Sequence, residues 1–186
     1  MSNAMDIVME NTSKVLSGKV VKVEIGDNKI EYSIPEEYTF FMRTIKNIVE
    51  DLGESDSAIP LVNIGESTWG IIYRYCEAYY KNHDITDAKQ IKEYYEVKED
   101  TKFSSHPEWA RNLINGLNKE DLFALINAAN YLDMPGLLDV ACGKVAVMIT
   151  GKTPEEIREL FGIENDFTPE EEQEIRKRND WCDAAF

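Results

Sequence analysis

The side chains that could do chemistry are few, and their spacing argues against catalysis. Cys76, Cys142 and Cys182 are odd in number and far apart, and no Cys-x-x-Cys occurs. Such a set predicts free thiols, buried or facing a partner, in a reducing compartment. The expected location is the cytoplasm and nucleus. His83 and His106 have no ligand-like spacing to each other or to a cysteine, which argues against a structural zinc site. Cys142 has no histidine nearby in sequence to activate it as a nucleophile. Asp166 and Glu170–Glu172 concentrate carboxylates, but not in the pattern of a calcium loop. The chain carries no phosphate-binding glycine loop, dinucleotide-binding glycine motif or nucleophile-elbow serine. The expectation is a protein that is not an enzyme, with no cofactor and no metal.

Charge narrows the partners. With 20 Lys and Arg against 35 Asp and Glu, the formal net charge is −15. That surface repels nucleic-acid phosphates and anionic lipid, and it suits a basic protein partner or serves solubility alone. No stretch approaches the roughly 20 apolar residues of a membrane-spanning helix, and no signal-peptide core is evident. Ser2-Asn3-Ala4 after Met1 reads as an expression scar covering residues 1–4.

The elements that must carry any function are legible in outline, and the outline is α+β. Val21, Val23 and Ile25 alternate with Lys22 and Glu24, Gly26-Asp27-Asn28 is turn chemistry, and Ile30, Tyr32 and Ile34 resume the alternation. This predicts a hairpin with one buried face. Pro35 is placed to open a helix whose face is Phe41, Ile45, Ile48 and Leu52, stopped by Gly53. Ile59–Ile64 reads as a short edge strand around Pro60. Ser67 or Thr68 caps the next helix, with Trp69, Ile72, Cys76 and Tyr79 or Tyr80 inward. Residues 82–109 are irregular and predict a mobile surface insertion. Its Tyr94-Tyr95 pair is either a binding stripe or packing on the body of the domain.

From Asn118 the chain becomes strongly helical. Asn118 with Asp121 resembles a capping box, and Leu122, Leu125, Ile126 and Ala129 line one face. Pro135 opens a second helix rich in apolar residues. Two Thr-Pro-Glu-Glu runs follow, at 153–156 and 168–171. In each, threonine suits the N-cap, proline the first helical position and glutamate the return bond to the cap amide. The runs are two helix starts rather than a repeat. The helices from Asn127 onward carry more apolar surface than they can hide on their own, which points to a covering protein.

The words in this half carry a family likeness: AANYLD at Ala128–Asp133, GLLDV at Gly136–Val140, GKTPEEIR at Gly151–Arg158, NDFT at Asn165–Thr168 and NDWC at Asn179–Cys182. In this order and spacing the chain resembles the S-phase kinase-associated adaptor family, the small adaptor of SCF-type cullin–RING ubiquitin ligases. IKNIVEDLG at Ile45–Gly53 and IPLVNI at Ile59–Ile64 extend the likeness to about residues 20–182, apart from 82–109. The resemblance implies a BTB/POZ-type domain over 5–150 that binds a cullin, and a helical F-box-binding extension over 151–186. It implies that Asn130 and Tyr131 meet the cullin. It implies that Leu138, Val145, Met148, Phe161, Ile163, Phe167, Trp181 and Cys182 line a groove for an F-box protein. It also marks Pro154, which in some protist members is hydroxylated and then glycosylated; in this chain its plainer role is the first residue of a helix. Plainer roles exist for the others too. Tyr131 could finish a core helix, Leu138 and Val145 could pack helix to helix, Phe161 and Ile163 could fold back, and Trp181 could cover its own helix. The competing readings are an elongin C-like BTB adaptor and a self-associating BTB scaffold, with a homodimer as one state of the free chain.

Overall fold

The computed structural model describes residues 18–53, 57–83, 88–96 and 102–183, with side chains described except at 88–91 and 180–183. The segment read as a scar lies outside the described residues. The chain divides into two compact units at Met148 and Ile149.

The first unit opens with the expected hairpin. Strand β1 (Val20–Ile25) pairs antiparallel with β2 (Ile30–Pro35), Val21 facing Ile34 and Val23 facing Tyr32. Strand β3 (Ile59–Leu61) joins β1 in parallel, giving the order β2-β1-β3. Pro60 therefore sits on an edge strand, where a missing N–H is tolerated. Alternation turns Val23, Ile25, Ile34 and Leu61 into the core.

Pro35 does not open one continuous helix. A 3-10 helix spans Glu36–Phe41, the chain breaks at Met42 (φ −120°, ψ 81°), and α1 (Arg43–Leu52) starts afresh. The break has a physical return. It leaves the carbonyls of Phe40 and Phe41 open, and the Tyr95 and Tyr94 hydroxyls donate to them. Leu52, read as part of the inward face, is exposed.

Helix α2 (Glu66–Asn82) has Gly65 at its N-cap, two residues before the earliest expected cap at Ser67, and no side-chain cap. Thr68 is buried instead of capping. Trp69, Ile72, Cys76 and Tyr80 face inward as expected, and Ile71 and Tyr75 widen that face.

Within 82–109, read as irregular, the described residues are largely regular. They form α3 (Ala88–Tyr95), a single 3-10 turn (Phe103–Ser105) and the start of α4 (Glu108–Asn115). Tyr94 is buried, with its ring 5.0 Å from Tyr79, 5.5 Å from Phe41 and 5.6 Å from Phe40. The Arg43 guanidinium lies 4.2 Å over the Tyr95 ring. Of the two alternatives for the tyrosine pair, packing on the domain body is the one observed. The aromatic rings supply apolar area that this irregular stretch would otherwise lack.

Helix α5 (Lys119–Tyr131) and helix α6 (Pro135–Ile149) follow. Asn118 accepts a bond from the Asp121 amide at 2.7 Å. The return bond differs from a full capping box: Asp121 is too short to reach the cap amide and instead accepts from the Asn118 side chain at 2.8 Å. In the second unit both Thr-Pro-Glu-Glu runs start helices, α7 (Pro154–Phe161) and α8 (Pro169–Asp183). Thr153 and Glu156 form a complete capping box. Thr168 and Glu171 repeat it, with amide-to-side-chain bonds of 2.8 and 3.3 Å.

Candidate protein-docking surfaces

The turn between α5 and α6 is built to present the end of α5. The Asp133 amide donates to Asn130 and the Met134 amide to Ala129, closing the C-terminal carbonyls of α5 in a Schellman arrangement. That motif needs a left-handed residue, and here Asp133 takes φ 52° where glycine is usual. An ion pair to Arg43 at 2.8 Å holds its carboxylate. Thr44 completes the brace: its hydroxyl donates to the Tyr131 carbonyl at 2.9 Å, and its amide donates to the Leu132 carbonyl.

On this brace Asn130 and Tyr131 are exposed, Tyr131 to 44%. Tyr131 therefore does not finish the core; the neighbours Ala128, Ala129 and Leu132 do. Phe123 is also exposed on α5, and sequence reasoning passed over it. Its helical spacing from Asn127 and Tyr131, i to i+4 to i+8, was the available signal. Together these residues make one face of α5 that the core does not use.

The residues marked for an F-box groove fall into both units, each with its own surroundings. Leu138, Val145 and Met148 lie on α6, half-buried against the core of the first unit. Their spacing of seven and three residues keeps them on one side of the helix. Val147 is exposed beside them. Cys142 is exposed, and burial of its sulfur followed by the Asp139 charge raises its pKa. That is the wrong direction for a reactive thiolate. Cys76 is buried and its pKa is raised by desolvation.

In the second unit no described side chain is buried. Gly162 takes the left-handed conformation (φ 65°, ψ 35°) that ends α7, and the Ile163 amide returns to the Arg158 carbonyl at 2.9 Å. The cap holds Ile163 out in solvent at 55% exposure, with Phe167 at 45%. Phe161 is half-buried. Polar bonds tie α7 to α8 at the surface instead, Arg158 to Glu172 at 3.5 Å and Arg176 to Glu155 at 2.7 Å, and Asn165 of the connection donates to Glu172 at 2.8 Å. Exposed ion pairs of this kind contribute little each. Trp181 and Cys182 lie within α8, but their side chains are outside the described residues. Pro154 is exposed at the first position of α7.

A small three-stranded sheet under a set of helices, followed by two capped helices with no buried side chain among those described, defines a BTB-type α+β module that works by protein contact. Comparison with known proteins carries this further. Residues 135–182 match the family model described as "Skp1 family, dimerisation domain". The chain is 44% identical over 164 residues to "SCF ubiquitin ligase complex protein SKP1a" of Dictyostelium discoideum, covering 88% of this chain and 96% of the relative. It is 43% identical over 164 residues to SKP1b of the same organism. It is 43% identical over 139 residues to "E3 ubiquitin ligase complex SCF subunit sconC" of Talaromyces stipitatus, covering 75% of this chain and 82% of the relative. The chain belongs to the Skp1 family.

Proposed function

We propose that this chain is the adaptor of an SCF-type ubiquitin ligase, joining an F-box substrate receptor to a cullin and so supporting protein ubiquitination and degradation in the cytoplasm and nucleus. The observation that carries the reading is the second unit: two well-capped helices with Ile163, Phe167 and Ile175 in solvent and no buried side chain among those described. Such helices are stable as local structure and incomplete as a core, which suits a surface finished by a partner. The braced, exposed pair Asn130 and Tyr131 is the cullin contact, and tyrosine is the residue type enriched at such hot spots. Leu138, Val145, Met148, Phe161, Ile163, Phe167, Trp181 and Cys182 serve the F-box protein.

The mechanism is geometric. Holding receptor and scaffold on one small protein raises the effective concentration of substrate beside the ubiquitin-transfer machinery. The chain makes and breaks no bond itself. Co-purification with an F-box protein and a cullin tests the map. Trp181→Ala should lose the F-box protein and keep the cullin, and Tyr131→Ala should do the reverse. Binding of both partners unchanged in both variants sinks the assignment. Amide exchange of the free chain adds a second check: weak protection from Thr168 to Trp181 should rise when the F-box protein binds.

One observation favours a further state. The matched family model is described as a dimerisation domain and covers the same apolar stretch, residues 135–182. In the absence of an F-box protein the free chain pairs through that surface, and sedimentation should show a dimer that an F-box peptide dissolves. Pro154, exposed at the head of α7, is the candidate for hydroxylation and glycosylation, read out as added mass in natively expressed protein.

A further inference from the structure

A cavity of about 320 Å³ in the first unit is used by neither docking surface. Its walls are aromatic. Trp109 stands 6.0 Å from Tyr79 at an interplanar angle of 89° and 5.5 Å from Tyr75 at 50°. His83 stacks on Tyr79 at 3.9 Å. Gly136 closes one side, and only glycine fits there: a Cβ would lie 2.7 Å from the Tyr75 hydroxyl oxygen and 2.8 Å from Tyr94 Cε2. The lining includes three carboxylates, Glu93, Glu96 and Asp139, and no lysine or arginine.

One group inside has unmet bonding capacity. The His106 side chain is only 9% exposed, it lines the cavity, and its Nε2 has no hydrogen-bond partner. Asp139 Oδ2 is 3.6 Å away, beyond hydrogen-bonding distance. Burial lowers the pKa of the imidazole, against the opposing pull of Asp139. The ring is therefore neutral near pH 7, and in the Nδ1–H tautomer its Nε2 is an acceptor. Aromatic faces attract a cation through their ring quadrupoles, and the carboxylates add negative potential. A guest that meets all three features is flat, positively charged and rich in N–H donors. A quaternary ammonium has no donor for Nε2, and a primary ammonium has no face to stack.

We propose that this cavity binds a guanidinium cation, stacked against Trp109 and donating to both Asp139 and His106 Nε2. The arrangement is independent of the adaptor reading and can fail without it.

The test is the indole N–H signal of Trp109 in the full ¹⁵N-labelled chain, assigned with Trp109→Phe. Titration with N-acetyl-arginine methylamide should shift it saturably. N-acetyl-lysine methylamide and tetramethylammonium should each bind about tenfold more weakly or less, because they lose the stacking face or the donors. Asp139→Asn, at a partly exposed carboxylate, should weaken the arginine response by about tenfold while leaving the amide spectrum folded. His106→Gln repeats the check from the other side. A tighter response to the capped derivative than to free arginine assigns an arginine side chain of a protein. The reverse assigns a free guanidino compound, and either upholds the guanidinium site. The absence of a saturable shift at millimolar concentration overturns the proposal. So does equal response to the lysine derivative, or an unchanged response in both variants.

Discussion

The region up to Met148 and the region after it obey opposite rules. The first closes around a continuous core in which Trp69, Tyr38, Phe41, Ile45 and Ile72 are almost entirely hidden. The second has no buried side chain among those described, yet its two helices are the best capped in the chain. The difference separates two sources of order. Tertiary burial stabilises the first region, while local hydrogen bonds and helix-dipole contacts hold the second. A region ordered only locally keeps its apolar side chains available, as the proposed F-box surface requires.

The contrast is sharpest under truncation of an aromatic ring. Trp69→Ala should cost about 3–5 kcal/mol of stability, read by denaturant unfolding, because the cavity it leaves cannot close. Phe167→Ala in the second region should change the stability of the free chain by less than about 0.5 kcal/mol. The same variant should weaken F-box binding by about tenfold or more, measured by calorimetry. A large loss of free-chain stability from Phe167→Ala would break the comparison.

Smaller effects test the local bonds. Thr153→Ala removes the acceptor for the Glu156 amide and half of the capping box. It should destabilise α7 by about 1 kcal/mol, seen as faster amide exchange at residues 155–157 with no change in α2. The smallest effect is a pH dependence. Bonds from the Thr168 amide and then its hydroxyl hold the Glu171 carboxyl below its ordinary pKa. A depressed folded-state pKa means that the contribution is whole above the unfolded value of about 4.3 and fades as pH falls through the lower folded value. The Thr168 amide signal should therefore stay put from neutral pH to about pH 5 and move upfield below about pH 4. Glu171→Gln should abolish that movement.

Much of the second region was legible in the sequence because its order is local. Thr153-Pro154-Glu155-Glu156 and Gly162 specify the start and stop of α7 within ten residues. The hairpin was equally plain, since alternation across Val21, Val23 and Ile25 needs only one partner strand to become a buried face. The same local reading failed where a distant group intervened. The break at Met42 leaves carbonyls at Phe40 and Phe41 that tyrosine hydroxyls more than fifty positions away in the chain bond. Residues 82–109 looked loose because charged residues are frequent and no regular apolar period runs through them, while Tyr94 gains its burial from Phe40, Phe41 and Tyr79. Phe123 was missed for a different reason: apolar residues on a helix are assigned inward by default, and only packing shows which side is left over.

The family words and the Asn130-Tyr131 pair stand in the sequence as written, and so do the caps, turns and strand alternation. Their physics acts between residues close along the chain, so the order of residues determines it. The tertiary structure decided what remained: that Thr44 and Arg43 brace the turn below Tyr131, that Gly136 lets Tyr75 and Tyr94 approach α6, and that His106 is enclosed beside Asp139 with its Nε2 unmatched. Each depends on contacts between segments tens of residues apart, and on close packing that no single segment encodes.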